Sequence, residues 1–161
     1  MELTARAAPI LQLYAAGNAL LVIAAFPYYL QYAQGQLRYH FLGNILMIMI
    51  FVPGVVYAAS SFGGEGAGWA WVGVNGIYLL FWVPYVHHKL VPGFHWKWFC
   101  NDVLLVAVPV LLVEYIVDSI LFVANSRLEH VFRMIILGLI AIGVATVSSS
   151  SLRRKLLKFG S

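Results

Sequence analysis

Two acidic residues inside an apolar stretch are the clearest candidates for chemistry in this sequence. Glu114 and Asp118 lie within residues 103–124, and their spacing of four places both on one face of a helix. An ionised carboxylate at the centre of a membrane helix costs ~2.5 to 3.5 kcal/mol, so the pair is expected to face protein, water or a partner. Two interpretations stay open. One is a proton or cation relay coupled to transport, and the other, which we favour, is a structural pair or a protonated carboxylic acid packed against another helix.

Three asparagines are the other polar candidates inside apolar runs. Asn18, Asn44 and Asn75 each lie within such a run. Amide groups can line a path for sugar hydroxyls, but interhelical hydrogen bonds worth ~0.6 kcal/mol are the commoner use in membranes. We favour packing for each asparagine singly. Together with Glu114 and Asp118, they form the predicted set of transport-pathway residues.

The histidines favour neither a metal site nor an enzyme. His87, His88 and His95 are predicted to share one surface loop, and imidazole is a common metal ligand. No carboxylate or cysteine set accompanies them, and the single Cys100 excludes an internal disulfide. The sequence has no Ser-His-Asp order, no nucleotide-binding glycine loop and no catalytic carboxylate pair. We therefore predict no catalytic residues, no metal and no cofactor.

The composition indicates which elements must hold these side chains. Of 161 residues, 62% are hydrophobic and 10% are charged, and the mean hydropathy is +0.86. Soluble domains average about half apolar and a quarter charged residues, so the sequence predicts an integral membrane protein. The net charge is +4, but four of the ten Lys and Arg residues lie in the final tail. This distribution disfavours nucleic acid as a partner and instead predicts topology and contact with membrane lipids.

Uncharged runs and turn residues divide the chain into five predicted spans. A helix rises ~1.5 Å per residue and needs about 20 residues to cross the hydrocarbon core. The spans are predicted at about 10–30, 41–62, 67–86, 103–124 and 131–151. They form one transmembrane domain, 1–152, followed by a basic cytoplasmic tail, 153–161. The fold class is therefore all-α, a multi-pass transmembrane bundle of about five helices.

Glycines mark the predicted turns and helix contacts. Gly63-Gly64 and Pro92-Gly93 bracket the third span and mark where its helix cannot continue. Small residues within the spans let membrane helices approach closely. The predicted contact residues are Ala70, Gly73, Gly76, Gly138, Ala141, Gly143 and Ala145.

The positive charges predict the orientation of the spans. One side of the predicted membrane carries seven basic residues: Arg38, Lys89, Lys97, Arg153, Arg154, Lys155 and Lys158. The other side carries three: Arg6, Arg127 and Arg133. Cytoplasmic loops are enriched in Lys and Arg, so the C-terminus is predicted to be cytoplasmic and the N-terminus outside.

Three stretches carry a resemblance to a known family. They are AFPYYLQYAQGQLRYHFLGN (25–44), FVPGVVYAASSFGGEGAGWAWVGVNGIYLLFWVPYVHHKLVPG (51–93) and WKWFCNDVLL (96–105), about half the chain together. In their order and their residues, these stretches resemble the C-terminal portion of polysaccharide biosynthesis proteins. These are exporters of the O-antigen flippase type, within the multidrug/oligosaccharidyl-lipid/polysaccharide superfamily.

The resemblance implies a location, a substrate class and a partner. It implies a flippase of the bacterial inner membrane that serves lipopolysaccharide and other cell-surface polysaccharide biosynthesis, with a polyprenyl-diphosphate-linked oligosaccharide as substrate. Family members have two helical lobes, so this chain is expected to be incomplete without an N-terminal transporter lobe or an oligomer partner. Two alternatives stay open: a small helical subunit or scaffold of a larger membrane complex, and a compact oligomeric transporter.

Overall fold

A computed structural model describes residues 2–120 and 127–149 of the chain, and these are helical apart from short turns. The six α-helices are α1 (Glu2–Ala33), α2 (Arg38–Ile77), α3 (Val83–Leu90), α4 (Phe94–Trp98), α5 (Leu105–Ile120) and α6 (Arg127–Ser148). Two π-helical segments, Tyr78–Trp82 and Phe99–Leu104, join α2 to α3 and α4 to α5. The all-α prediction is confirmed. The ends of the fourth and fifth predicted spans and the basic tail, 153–161, lie outside the described residues.

Four segments among the described residues are long and apolar enough to cross a membrane. They are Ala7–Ala33, Arg38–Leu90, Phe94–Val117 and Val131–Ser148 within the described residues. The chain divides into two compact units, Met1–His95 and Trp96–Ser161. The number of segments is close to the five helices expected from the sequence, and the difference lies in the second segment.

The second segment is interrupted at Gly63. Its 53 residues would form a straight helix of about 80 Å, far longer than the ~30 Å hydrocarbon core. Gly63 has φ 64° and ψ −147°, a conformation that is essentially restricted to glycine. The predicted turn at this position is therefore confirmed, and it divides the segment into a first arm (38–62) and a second arm (64–90).

The two arms are antiparallel neighbours. Contacts between them join Tyr39 to Tyr85, Phe51 to Trp71 and Ala58 to the Cβ position of Gly66. Residue numbers fall along one arm as they rise along the other. The turn at Gly63 therefore joins the two arms into a helical hairpin.

Helix α1 completes a three-helix bundle with these arms. It runs parallel to the second arm, since Ile10 lies beside Gly64 and Leu13 beside Gly68. It runs antiparallel to the first arm, since the rings of Tyr28 and His40 lie 4.5 Å apart. The α1–α2 connection and the end of α3 therefore lie at one end of the bundle, and Gly63 lies at the other.

Glycines do allow close contacts between helices in this structure. Most of these glycines are not the ones that the sequence predicted. A Cβ would meet a neighbouring helix or arm at Gly17, Gly43, Gly64, Gly66 and Gly68. At the predicted positions Gly73, Gly138 and Gly143, no described heavy atom lies within 4 Å of such a Cβ, and at Gly76 the nearest is 3.9 Å away. The prediction is wrong at the first three because Gly73 lines an open cleft between the arms and the α6 glycines are exposed.

Both π-helical segments precede a proline. Tyr78–Trp82 comes just before Pro84, and Phe99–Leu104 comes before Pro109. Proline lacks an N–H, and its ring displaces the carbonyl four residues earlier. For Pro84 this is the carbonyl of Leu80, which lies within the first π-helical segment. In the second unit, α5 continues from the second π-helical segment and packs against α6.

Candidate functional site

Two of the predicted pathway asparagines meet at one tryptophan. The Oδ1 atom of Asn18 accepts a hydrogen bond of 3.2 Å from Nε1 of Trp71. The Nδ2 atom of Asn75 donates one of 2.8 Å to the main-chain oxygen of Trp71. Asn75 is buried, with 1% of its surface exposed. The bond of Asn18 ties α1 to the second arm, which is the interhelical role favoured from the sequence. The bond of Asn75 lies within the second arm, four residues apart, so an interhelical role for Asn75 stays a prediction.

Asn44 lies on the first arm, beside the same tryptophan. Its Nδ2 atom is 3.1 Å from Nε2 of His40, one turn earlier on the helix. Asn44 and Trp71 also line a common pocket of about 290 Å³. The structure thus brings all three predicted asparagines to the surroundings of Trp71.

The acidic candidates belong to the second compact unit. Glu114 is half-buried on α5, and its Oε1 atom is buried without a hydrogen-bond partner among the described residues. Asp118 is part of α5, but its side chain lies outside the described part of the structure. The role of this pair as a relay or a packing contact stays a prediction.

His87 differs from its expected place on a surface loop. It is fully buried, with 0% exposure, as are Val83 and Val86 on the same short helix. That prediction is wrong for His87, because α3 continues to Leu90 and carries its buried face past the predicted end of the span. His88 next to it is exposed, as expected.

His87 forms a compact polar contact within an aromatic cluster. Its Nδ1 atom lies 3.0 Å from Nδ1 of His95. An N–H···N bond needs one donor and one acceptor nitrogen, so at least one of the two rings is neutral in this contact. The rings of Phe26 and Phe94 lie 6.2 and 5.4 Å from the His87 ring. The cluster therefore links the C-terminal half of α1, the end of α3 and the start of α4.

The histidine pair by itself has too few ligands for the usual zinc sites, and the absence of a metal stays a prediction. Within the described residues, no group of three or more His, Cys, Asp and Glu side chains is placed to hold a metal ion. A structural zinc site ordinarily has four protein ligands and a catalytic one three. Two imidazoles alone fall short of both.

Two cations flank a tyrosine pair at the same end of the bundle. Arg38 donates a 2.9 Å hydrogen bond to the hydroxyl of Tyr39, and its guanidinium carbon lies 4.8 Å from the ring centroid. The Nζ atom of Lys89 lies 5.7 Å from the ring centroid of Tyr85. The two rings are 6.2 Å apart. The tyrosine pair therefore has a positive charge from each arm beside it.

Comparison with protein-family models, with curated proteins and with solved structures gives no match. The resemblance to flippase-type exporters stays a prediction from the sequence motifs.

Sequence reasoning missed the two residues around which these contacts form. Trp71 binds two asparagines, but a tryptophan within an apolar run carries no pattern that distinguishes it from a lipid-facing residue. His87 could have been found, since it follows Val83 by one helical turn and residues four apart share a face.

Proposed function

We propose that this chain is a multi-pass protein of the bacterial inner membrane that supplies the C-terminal helices of a flippase for lipid-linked oligosaccharides. Its substrate class is a polyprenyl-diphosphate-linked sugar used in O-antigen and related polysaccharide biosynthesis. One observation supports this most. The two longest stretches that resemble the family, 25–44 and 51–93, pack against each other in one three-helix bundle. The two stretches that carry the resemblance therefore belong to one compact unit.

The membrane placement is supported by the surface of the helices. Four segments have the length and composition of spans, and many of their large apolar side chains are exposed, among them Val22, Val56, Phe81 and Leu111. Soluble monomers rarely expose contiguous apolar surface of this extent. Lipid is the solvent that suits it.

We expect site-directed labelling to place the two ends of the bundle on opposite sides of the membrane. After Cys100→Ser, a cysteine introduced at Gln36 should react only with reagents that reach the cytoplasm, because the connection carries Arg38. A cysteine at Glu65 should react from outside. A cytoplasmic residue 65 would contradict both the orientation and the span assignment.

We expect the 161-residue chain alone to fail in transport. Purified into liposomes, it should not move a fluorescent polyprenyl-diphosphate sugar faster than empty vesicles do. Alternating access needs a site that binds differently in two states, and such sites form where two repeats meet. Adding a matching N-terminal lobe should raise the rate above that background.

Transport by the chain alone would contradict the proposal and favour the compact oligomeric transporter. A cysteine-free variant that inserts equally well serves as the control for preparation quality. Insertion itself is checked by alkaline extraction of the vesicles.

A scaffold subunit is the second candidate, and the asparagine contacts favour it. The Oδ1 atom of Asn18 is engaged by the indole of Trp71, which leaves one polar group fewer for a sugar path. A scaffold predicts that deleting the chain lowers the membrane level of a partner protein. A flippase predicts accumulation of lipid-linked sugar on the cytoplasmic side.

A further inference from the structure

An apolar groove runs along the outside of the hairpin, between the two arms. Its volume is about 370 Å³. The lining residues are Gly43, Leu46, Met47, Ile50, Val74, Ile77, Tyr78, Phe81, Trp82 and Tyr85. Along the first arm, the groove extends from residue 43 to residue 50, about 10 Å of helix. It is therefore a narrow, elongated site with apolar walls.

Gly43 and the π-helical segment Tyr78–Trp82 shape the end of this groove that lies toward the α1–α2 connection. We call this end the upper end. The indole of Trp82 occupies the space where a Cβ of residue 43 would be, so only glycine admits the ring there. Trp82 and Tyr78 both belong to the π-helical segment. The Nε1 atom of Trp82 is buried beside Gly43, and the hydroxyl of Tyr78 lies in the same contact. The indole therefore forms part of the groove wall.

The upper end of the groove carries positive charge. Tyr85 lines the groove and contacts both Lys89 and Tyr39, and Tyr39 in turn holds Arg38. Between residues 3 and 101, Glu65 is the only acidic residue in the sequence, and it lies beside the turn at the other end of the bundle. The upper end therefore complements an anion.

We propose that this groove binds an anionic glycerophospholipid of the surrounding bilayer. One acyl chain lies along the apolar walls beside the indole of Trp82, and the phosphate lies near Arg38 and Lys89. The groove shares Ile50, Val74 and Ile77 with the open cleft between the arms, so an acyl chain can continue from it along the hairpin. This lipid is a bound component and not the transported substrate. The inference rests on the membrane placement proposed above and is independent of the transport activity.

The test uses the full chain in vesicles of phosphatidylcholine with increasing phosphatidylglycerol. One of the two lipids carries dibrominated acyl chains, which quench tryptophan fluorescence on contact. The contribution of Trp82 is the difference between the wild-type chain and Trp82→Phe. Quenching by brominated phosphatidylglycerol should reach half its maximum at a much lower mole fraction than quenching by brominated phosphatidylcholine.

Charge and groove variants test the two parts of the site separately. The double change Arg38→Gln with Lys89→Gln should lower the preference for phosphatidylglycerol on the order of 20-fold, at about fivefold per basic residue. The matched control, Arg153→Gln with Arg154→Gln, removes the same charge from the tail and should leave the preference unchanged. Ile77→Phe fills the groove from an exposed position and should remove the preferential quenching of Trp82.

Three results would overturn the proposal. The first is equal quenching by the two brominated lipids, and the second is an equal loss of preference in the tail control. The third is displacement by polyprenyl phosphate at lower concentration than by phosphatidylglycerol, which would assign the groove to an isoprenoid lipid. Alkaline extraction shows whether the wild-type chain is inserted, so failure of the membrane placement is distinguished from failure of this site. Native mass spectrometry of the wild-type chain provides a readout that needs no variant.

Discussion

Replacement of Gly66 by alanine is expected to lower the free energy of unfolding by about 3 kcal/mol, at the upper end of the usual cost of overpacking. Gly66 is buried in the second arm, and its added Cβ would overlap the carbonyl oxygen of Ala58 on the first arm. A main-chain oxygen cannot rotate away as a side chain can. The arms must therefore separate near their turn, which removes packing on both sides. Unfolding of the detergent-solubilised chain in sodium dodecyl sulfate, followed by circular dichroism, measures the loss.

Gly73→Ala provides the matched control. Gly73 lies on the same arm, two turns later, and no described heavy atom is within 4 Å of its Cβ position. The change should alter the free energy of unfolding by less than about 1 kcal/mol, the size of the intrinsic helix preference for alanine. Equal losses at the two positions would show that the close approach of the arms does not determine stability.

The second large effect is expected at the buried histidine. His87→Ala should lower the free energy of unfolding by about 3 kcal/mol, since it leaves a cavity and removes the partner of His95. The same change at His88, which is exposed, should cost less than about 0.5 kcal/mol. The two substitutions differ by one residue in sequence and are identical in chemistry. The same denaturation experiment compares them.

A double change separates the histidine contact from simple cavity formation. If the 3.0 Å contact between the rings contributes, the losses of His87→Ala and His95→Ala should not add, because both remove the same interaction. Additive losses would show that the contact between the rings does not contribute, and would assign the effect of His87 to its other contacts, among them those with Phe26 and Phe94.

The sequence predicted the helices and their turns well because these depend on local chemistry. Uncharged runs of sufficient length indicate spans, and Gly63 and Gly93 occupy positive φ values of 64° and 79° that favour glycine. Such properties belong to a few neighbouring residues. They do not depend on which residues pack against each other in the folded chain.

The rotation of each helix about its axis was not predictable in the same way. A span that is apolar all round carries no stripe to mark its inward face, so small residues alone could not separate Gly68, which contacts Leu13, from Gly73, which contacts nothing described. The bond between Asn18 and Trp71 likewise joins positions 53 residues apart. It exists only once the parallel packing of α1 on the second arm is fixed.

The single-residue turn at Gly63 also has a consequence for membrane insertion under the proposed placement. The link between the arms is too short for one arm to cross the bilayer while the other stays on the cytoplasmic side. Under that placement, the two arms insert together as a helical hairpin, and Glu65 crosses the bilayer at its tip. The 53 residues from Arg38 to Leu90 then insert as one unit, and the free energy of insertion is the sum of the contributions of both arms.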